Sequence, residues 1–459
     1  MLSPRHAGAT AKFRWLTLLT LCLAVLVAQV DTFIVNLAVR PIGQYFSASV
    51  DGLQWVVDSY NLVYAVLLLT GGLLADLYGR RRIFMVGAAV FTAASVLCAI
   101  APSVSILIGG RALAGLGAAL LIPASLAIVR VVWRDPAERG RALGIWAACN
   151  GLAMAIGPTL GGLLIPQFGW RSIFLIVIPL SLAALVLALS SIPESSDPQG
   201  RHFDAAAQVL GALVLGSLAF AAIRSHPAPS IAVGSFIVAL IALALFVKTE
   251  AKRGDAALVP LDLFRVREFR GAITATAAMT FGGYGMIFVL PLAWQTSGTL
   301  DTTGAGLALM PMALVFVLVS SFSGALTERL GMRFVTAGGV AIMGGGLLLI
   351  GLSASQTTII LAEVGLALTG LGLGLATGPL AGAAVGAVAA TRSGTAAALI
   401  NVARIAGATI GVAVLGAVYA AAHAGPDGLR SSMFVGGLVQ IACAGAAWKT
   451  TRPVVTPRR

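Results

Sequence analysis

A chain of 459 residues that is 58% hydrophobic and only 10% charged is not an ordinary soluble domain, which carries about 25% charged residues. Its net charge of +13 gives no case for nucleic acid, because the basic residues form short clusters between apolar blocks and not one stripe on a folded face. Four cysteines without CxxC spacing and four histidines without a ligand neighbour give no metal or cofactor to argue for.

The apolar residues fall in blocks of roughly 17–25, the length that crosses about 30 Å of hydrocarbon as a helix. The chain therefore reads as an all-α polytopic membrane protein. Fourteen spans are predicted, near 15–37, 53–74, 82–101, 105–130, 141–165, 171–192, 205–223, 230–247, 270–293, 304–326, 333–352, 357–380, 395–421 and 431–448. The first block is too long for a signal-peptide core and lacks a small-residue cleavage pattern, so it counts as a span. With the N-terminus inside, 24 of the 30 basic residues fall in inner segments and 4 in outer ones. Positive-inside bias then places both termini in the cytoplasm. The lipid surface is partner enough for the positive charge.

Taken in chain order, span 1 carries Asp31 beside a polar stripe of Gln29, Thr32 and Asn36, which predicts a wet cavity on that side. Span 2 carries Asp58, Tyr60 and Tyr64 and ends in GGLLADLYGRRR. There Gly72 would allow close helix contact and Gly79 a tight turn. Asp76 sits at an unfavourable helix C-terminus unless Arg80 and Arg81 offset it. Arginines alone would explain a stop signal. A conformational latch also explains the acid and the glycines. Span 4 buries Arg111, which is costly unless it meets a cavity or a carboxylate; snorkelling to the interface is the alternative. Gly115 and Gly117 read as packing positions. Span 5 carries Gly157, Pro158, Gly161 and Gly162, a grouping suited to a hinge or seal.

The later spans repeat the earlier ones. Gly72-x-Leu74-x-Asp76-x-x-Gly79-x-Arg81 returns as Gly324-x-Leu326-x-Glu328-x-x-Gly331-x-Arg333, an offset of 252. Ala112–Gly117 returns at 367–372, and the Arg141/Asn150 pair returns as Arg392/Asn401. Three ordered matches predict two homologous halves, with the spans at 205–247 inserted between them. The expected division is a six-helix bundle in 1–200, two inserted helices in 201–249, and a second bundle with its tail in 250–459.

Five ionisable residues lie within spans: Asp31, Asp58, Arg111, Glu363 and Arg404. The first three fall at a similar depth of the first half, as a candidate proton site, with Asp31 the leading carboxylate and Asp58 the second. Glu363 reads either as a cavity acid or as an interfacial one. Arg404 would pair with a carboxylate or an anionic substrate. Tyr60, Tyr64, Tyr284 and Trp294 are cavity candidates, although packing is the commoner fate of aromatics.

GGLLADLYGRRR, the Arg111 segment and GPTLGG, in this order and on these spans, resemble the signature motifs of the major facilitator superfamily. VDTFIVNLAVRPI at 30–42 resembles the first-span motif of its fourteen-span drug:proton antiporters. WVVDSYNLVYAVLLLTGG looks most like the methylenomycin-resistance type of exporter. Val30, Arg40 and Tyr78 depart from the usual pattern. The resemblance implies the major facilitator fold and proton-coupled efflux of small amphipathic molecules by alternating access in a bacterial inner membrane. It assigns the antiporter role to the Gly157–Gly162 stretch. No GxxxxGK[ST] stretch exists for ATP, no catalytic constellation suggests an enzyme, and a monomer is expected. Proton-coupled metabolite uptake and a non-transporting sensor or scaffold are the alternatives.

Overall fold

Hydrocarbon offers a free peptide group no partner, so each apolar block must close its own hydrogen bonds as a helix. The computed structural model describes residues 11–133, 135–196, 204–254, 257, 259–355, 359–389 and 392–450. The first group of helices is α1 (Ala11–Phe46), α2 (Val50–Tyr78), α3 (Arg80–Ala99), α4 (Val104–Val132), α5 (Pro136–Phe168), α6 (Ser172–Leu175) and α7 (Val177–Ser191). A hairpin follows, α8 (Ala205–Arg224) and α9 (Pro229–Arg253). The last group is α10 (Arg267–Ser297), α11 (Thr302–Ala308), α12 (Met310–Leu330), α13 (Met332–Ser353), α14 (Ile360–Gly386), α15 (Ser393–Ala421) and α16 (Gly425–Thr450). Among the described residues, fourteen helical stretches are long and apolar enough to cross a membrane, and each overlaps one predicted span.

Two spans differ from the expectation of one helix each. The sixth is split at Ile176 into α6 and α7, and the tenth at Leu309 into α11 and α12. Prolines explain both breaks. Pro179 has no N–H for the carbonyl of Leu175, and Pro311 has none for that of Leu307. The boundary expected at 200 lies outside the described residues. The boundary expected at 249 falls inside α9, which continues to Arg253.

Helices α1–α7 pack among themselves, as do α10–α16. This makes two bundles, the architecture read from the repeats. They meet along three seams, α1 with α10, α2 with α15, and α5 with α11 and α12. Small residues set these distances. Within the first bundle a Cβ on Gly71 would sit 1.9 Å from the carbonyl oxygen of Ala119, and one on Gly115 would sit 2.4 Å from that of Tyr60. Gly71, and not the expected Gly72, is thus the close-contact position of span 2; Gly72 meets only Pro123 Cβ, at 3.5 Å. The hairpin lies outside both bundles. α8 touches α2 of the first and α15 of the second, and the Gln208 side-chain amide donates to the carbonyl of Val66.

Candidate functional site

The first bundle holds an ion pair buried on both sides. Asp31 of α1 and Arg111 of α4 are each 1% exposed, and a guanidinium nitrogen donates to the carboxylate. Arg111 Nε donates to the carbonyl of Val56 at 3.2 Å, and its guanidinium lies 4.6 Å from the centre of the Tyr60 ring. Tyr60 in turn donates its hydroxyl to the carbonyl of Ala28, one turn before Asp31 (3.2 Å). The pair therefore ties α1, α2 and α4 together. Arg111 does not snorkel; it is spent on a carboxylate, a carbonyl and an aromatic face.

Asp58 is not part of this group. It is fully buried and neither carboxylate oxygen has a hydrogen-bond partner among the described residues. The expectation of two carboxylates sharing one guanidinium is corrected on this point. The reason is helical phase. Asp58 follows Gln54 by one turn, so both face α15 across the seam, and the Gln54 amide donates to the carbonyls of Val412 and Ala413 at 3.2 and 2.8 Å. Glu363 lies in the first turn of α14 and also stands apart from Asp31 and Arg111.

Between the bundles lies a narrow cavity with room for about 10 Å³. Gln29 and Thr32 of α1, Asn61 and Tyr64 of α2, Tyr284 of α10, and Arg404, Ile405 and Ala408 of α15 line it. Five of the sequence candidates thus converge there: Gln29, Thr32, Tyr64, Tyr284 and Arg404. Three do not. Tyr60 is held against Arg111. Asn36 donates to its own helix, at the carbonyls of Thr32 and Phe33. Trp294 borders a second, wider cavity of about 370 Å³ near the start of α14 and α16. Asp31 itself opens onto neither, so the polar stripe on α1 faces a cavity while its acid does not.

Above the narrow cavity, at the end far from both termini, the seams are shut. Besides Gln54, the Gln295 amide donates to the carbonyl of Leu37 at 3.3 Å, and the Thr303 hydroxyl to that of Gly162 at 2.7 Å. A Cβ on Gly306 would sit 2.6 Å from the carbonyl oxygen of Pro158, and one on Gly162 3.2 Å from that of Thr303. Toward the termini, added Cβ atoms at Gly140 and Gly144 of α5, Gly324 of α12 and Gly382 and Gly386 of α14 would meet nothing within 4 Å. The cavity is sealed at the end far from both termini.

Residues 21–412 match the Major Facilitator Superfamily. The chain belongs to the major facilitator superfamily. It is 37% identical over 409 residues to Multidrug resistance protein Stp of Mycobacterium tuberculosis (strain CDC 1551 / Oshkosh), covering 88% of this chain and 76% of that one. It is 37% identical over 319 residues to a methylenomycin A resistance protein of Bacillus subtilis (strain 168), covering 68% and 67%. Its backbone matches a crystal structure of a bacterial homologue of the human lysosomal transporter Spinster, in an inward-facing and unoccupied conformation, with a TM-score of 0.70 at 18% identity, covering 96% of this chain and 98% of that one. Its relatives are transporters, and the chain itself is a multi-pass membrane protein.

In this superfamily member the two copies of the repeated Gly-x-Leu motif differ. In the first, the Arg80 guanidinium donates to Asp76 Oδ1 at 2.8 and 3.1 Å. Glu194, from the segment after α7, accepts the backbone N–H groups of Arg81 and Arg82 at 3.1 and 3.2 Å. It thereby caps the start of α3, where a helix presents free N–H groups and positive potential. Sequence reasoning missed Glu194, because a loop acid far along the chain carries no motif. In the second copy Glu328 is exposed and forms no ion pair among the described residues, while Arg333 lies 4.1 Å from the centre of the Trp448 ring. Glu328 and Arg333 are therefore not paired with each other. Repetition kept the turn, since Gly79 and Gly331 both have positive φ (109° and 87°), and exchanged the contact.

That turn gives a direct prediction. Gly79→Ala forces a side chain into a backbone region left almost wholly to glycine, at a cost of about 1–3 kcal/mol. It also drives Cβ to 2.7 Å from Glu194 Oε1. Glu194→Gln removes only the charge at the helix start, worth about 0.3–1 kcal/mol. Thermal melts in detergent should rank Gly79→Ala as the more damaging of the two. The opposite order would mean that the turn tolerates a side chain and the carboxylate does the holding.

Proposed function

We propose that this chain exports small amphipathic molecules across a bacterial cytoplasmic membrane in exchange for protons. The observation that carries this reading is the buried Asp31–Arg111 pair beside a cavity shared by two bundles and sealed at one end. A proton arriving at Asp31 removes the charge that Arg111 faces, and the pair loses its main attraction. Because Arg111 also holds Val56 and Tyr60, a change at Asp31 is passed to α2, which carries two cavity residues and half of the Gln54 seal. Proton loading and cavity access are thereby coupled through three helices. The antiporter helix α5, with Gly157, Pro158, Gly161 and Gly162, lies on the seal and would move as the bundles rock. The names of its relatives, multidrug and antibiotic-resistance proteins, support export of such compounds. The split of basic residues supports cytoplasmic termini. A single copy works without ATP, solvated by lipid.

Detergent-purified protein should release protons on addition of members of a panel of cationic, neutral and anionic antibiotics and dyes, and Asp31→Asn should not. Release that survives Asp31→Asn would move the coupling carboxylate to Asp58 or Glu363. Silence with every compound would sink the antiport reading.

A further inference from the structure

The residues lining the narrow cavity have one sign. Arg404 is the one charged residue among the described lining residues. No ion pair or hydrogen bond joins Arg404 to a carboxylate among the described residues, and its Nε is buried without a partner. The two nearby intramembrane acids cannot answer it. Asp31 is committed to Arg111, and Asp58 does not line the cavity. The other polar lining groups include two amides and two phenols, all of which can donate, while a guanidinium can only donate. A guanidinium left uncompensated inside a membrane is costly, and an arriving anion would offset that cost.

We propose that this cavity selects substrates carrying an organic acid group on an aromatic or apolar body, with Arg404 holding the acid and Tyr64 and Tyr284 flanking the body. The proposal rests on the export reading above and names its substrate class. The two tyrosines come from different bundles, α2 and α10, so one planar ligand would touch both. With room for only about 10 Å³, the cavity is far below the roughly 300–1,000 Å³ of a drug-sized pocket, so the ligand-bearing state is wider than the one seen.

Three fluorescent probes on one ring system test this: 9-anthracenecarboxylate, 9-anthracenemethanol and 9-(aminomethyl)anthracene. Wild-type protein should bind the carboxylate about tenfold or more tightly than the amine, the range of a charge-assisted hydrogen bond. Arg404→Gln should remove that preference, and Arg404→Lys should keep most of it. Equal or tighter binding of the amine by the wild type overturns the proposal without needing any variant to fold. So does a carboxylate preference that survives Arg404→Gln, or a carboxylate that does not bind. Transport in proteoliposomes under an imposed pH gradient separates the two readings. Arg404-dependent binding of the carboxylate without gradient-driven movement would leave acid selection standing and remove the export reading. Gradient-driven movement of the amine but not the carboxylate would do the reverse.

Discussion

Arg111→Ala is expected to reduce transport by roughly 100-fold or more while leaving a protein that still inserts. The substitution removes three contacts at once: the Asp31 carboxylate, the carbonyl of Val56 at 3.2 Å and the Tyr60 ring at 4.6 Å. It also leaves Asp31, 1% exposed, with no counter-charge. Breaking one side of a buried pair costs about 3–5 kcal/mol, which corresponds to a factor of roughly 100 or more in any equilibrium it governs. Arg111→Lys should recover little, because an ammonium has neither the planar fork nor the same stacking on tyrosine. The double variant Asp31→Asn/Arg111→Gln separates stability from function. Two neutral, hydrogen-bonding side chains should restore much of the melting temperature, since a buried pair is often no more stable than its neutral replacement. Transport should stay lost, because no group is left to exchange a proton. Transport at wild-type rate by the double variant would show that the pair is only structural.

Gly306→Val is the second substitution with a large expected effect, and it acts on the conformational balance. Its Cβ would lie 2.6 Å from the Pro158 carbonyl oxygen and 3.2 Å from Gly162 Cα, both backbone atoms that cannot turn aside. Overpacking of this kind costs about 1–3 kcal/mol, and the cost falls only on the state in which α5 and α11 touch. A shift of that size changes the ratio of sealed to unsealed protein by roughly 5- to 150-fold. Spin labels at positions 168 and 299, at the sealed ends of α5 and α10, should report a longer distance in Gly306→Val than in the parent. An unchanged distance distribution would mean that the seal is held elsewhere, with the Gln54 and Gln295 amides as the next positions to remove.

Much of this architecture was readable before any coordinates, for one physical reason. Lipid enforces long apolar blocks and penalises every stray charge, so the fourteen spans and the Asp31–Arg111 pair stand out against their surroundings. The close-contact glycines were readable as a class but not by position. Gly71 and Gly72 are adjacent in sequence, and only helix rotation decides that Gly71 meets Ala119. Contacts to the backbone left no motif in the sequence. Gln54, Gln295 and Glu194 bond to main-chain groups, and any residue could supply those. One signal was present and overlooked: Gln54, Asp58 and Asn61 recur at helical spacing on α2, a polar stripe that marks the face turned to the second bundle and its cavity.

The hairpin of α8 and α9 gives the rocking motion a spine. It is fastened to α2 by Gln208 and Val66, and to α15 through the packing of Ala219 and Ile223 against Ala413. A book bound on one edge opens on the other. The α2–α15 margin is thus strapped from outside. Among the described residues the hairpin makes no comparable contact with α5 or α12, so the two edges of the paired bundles are built unequally.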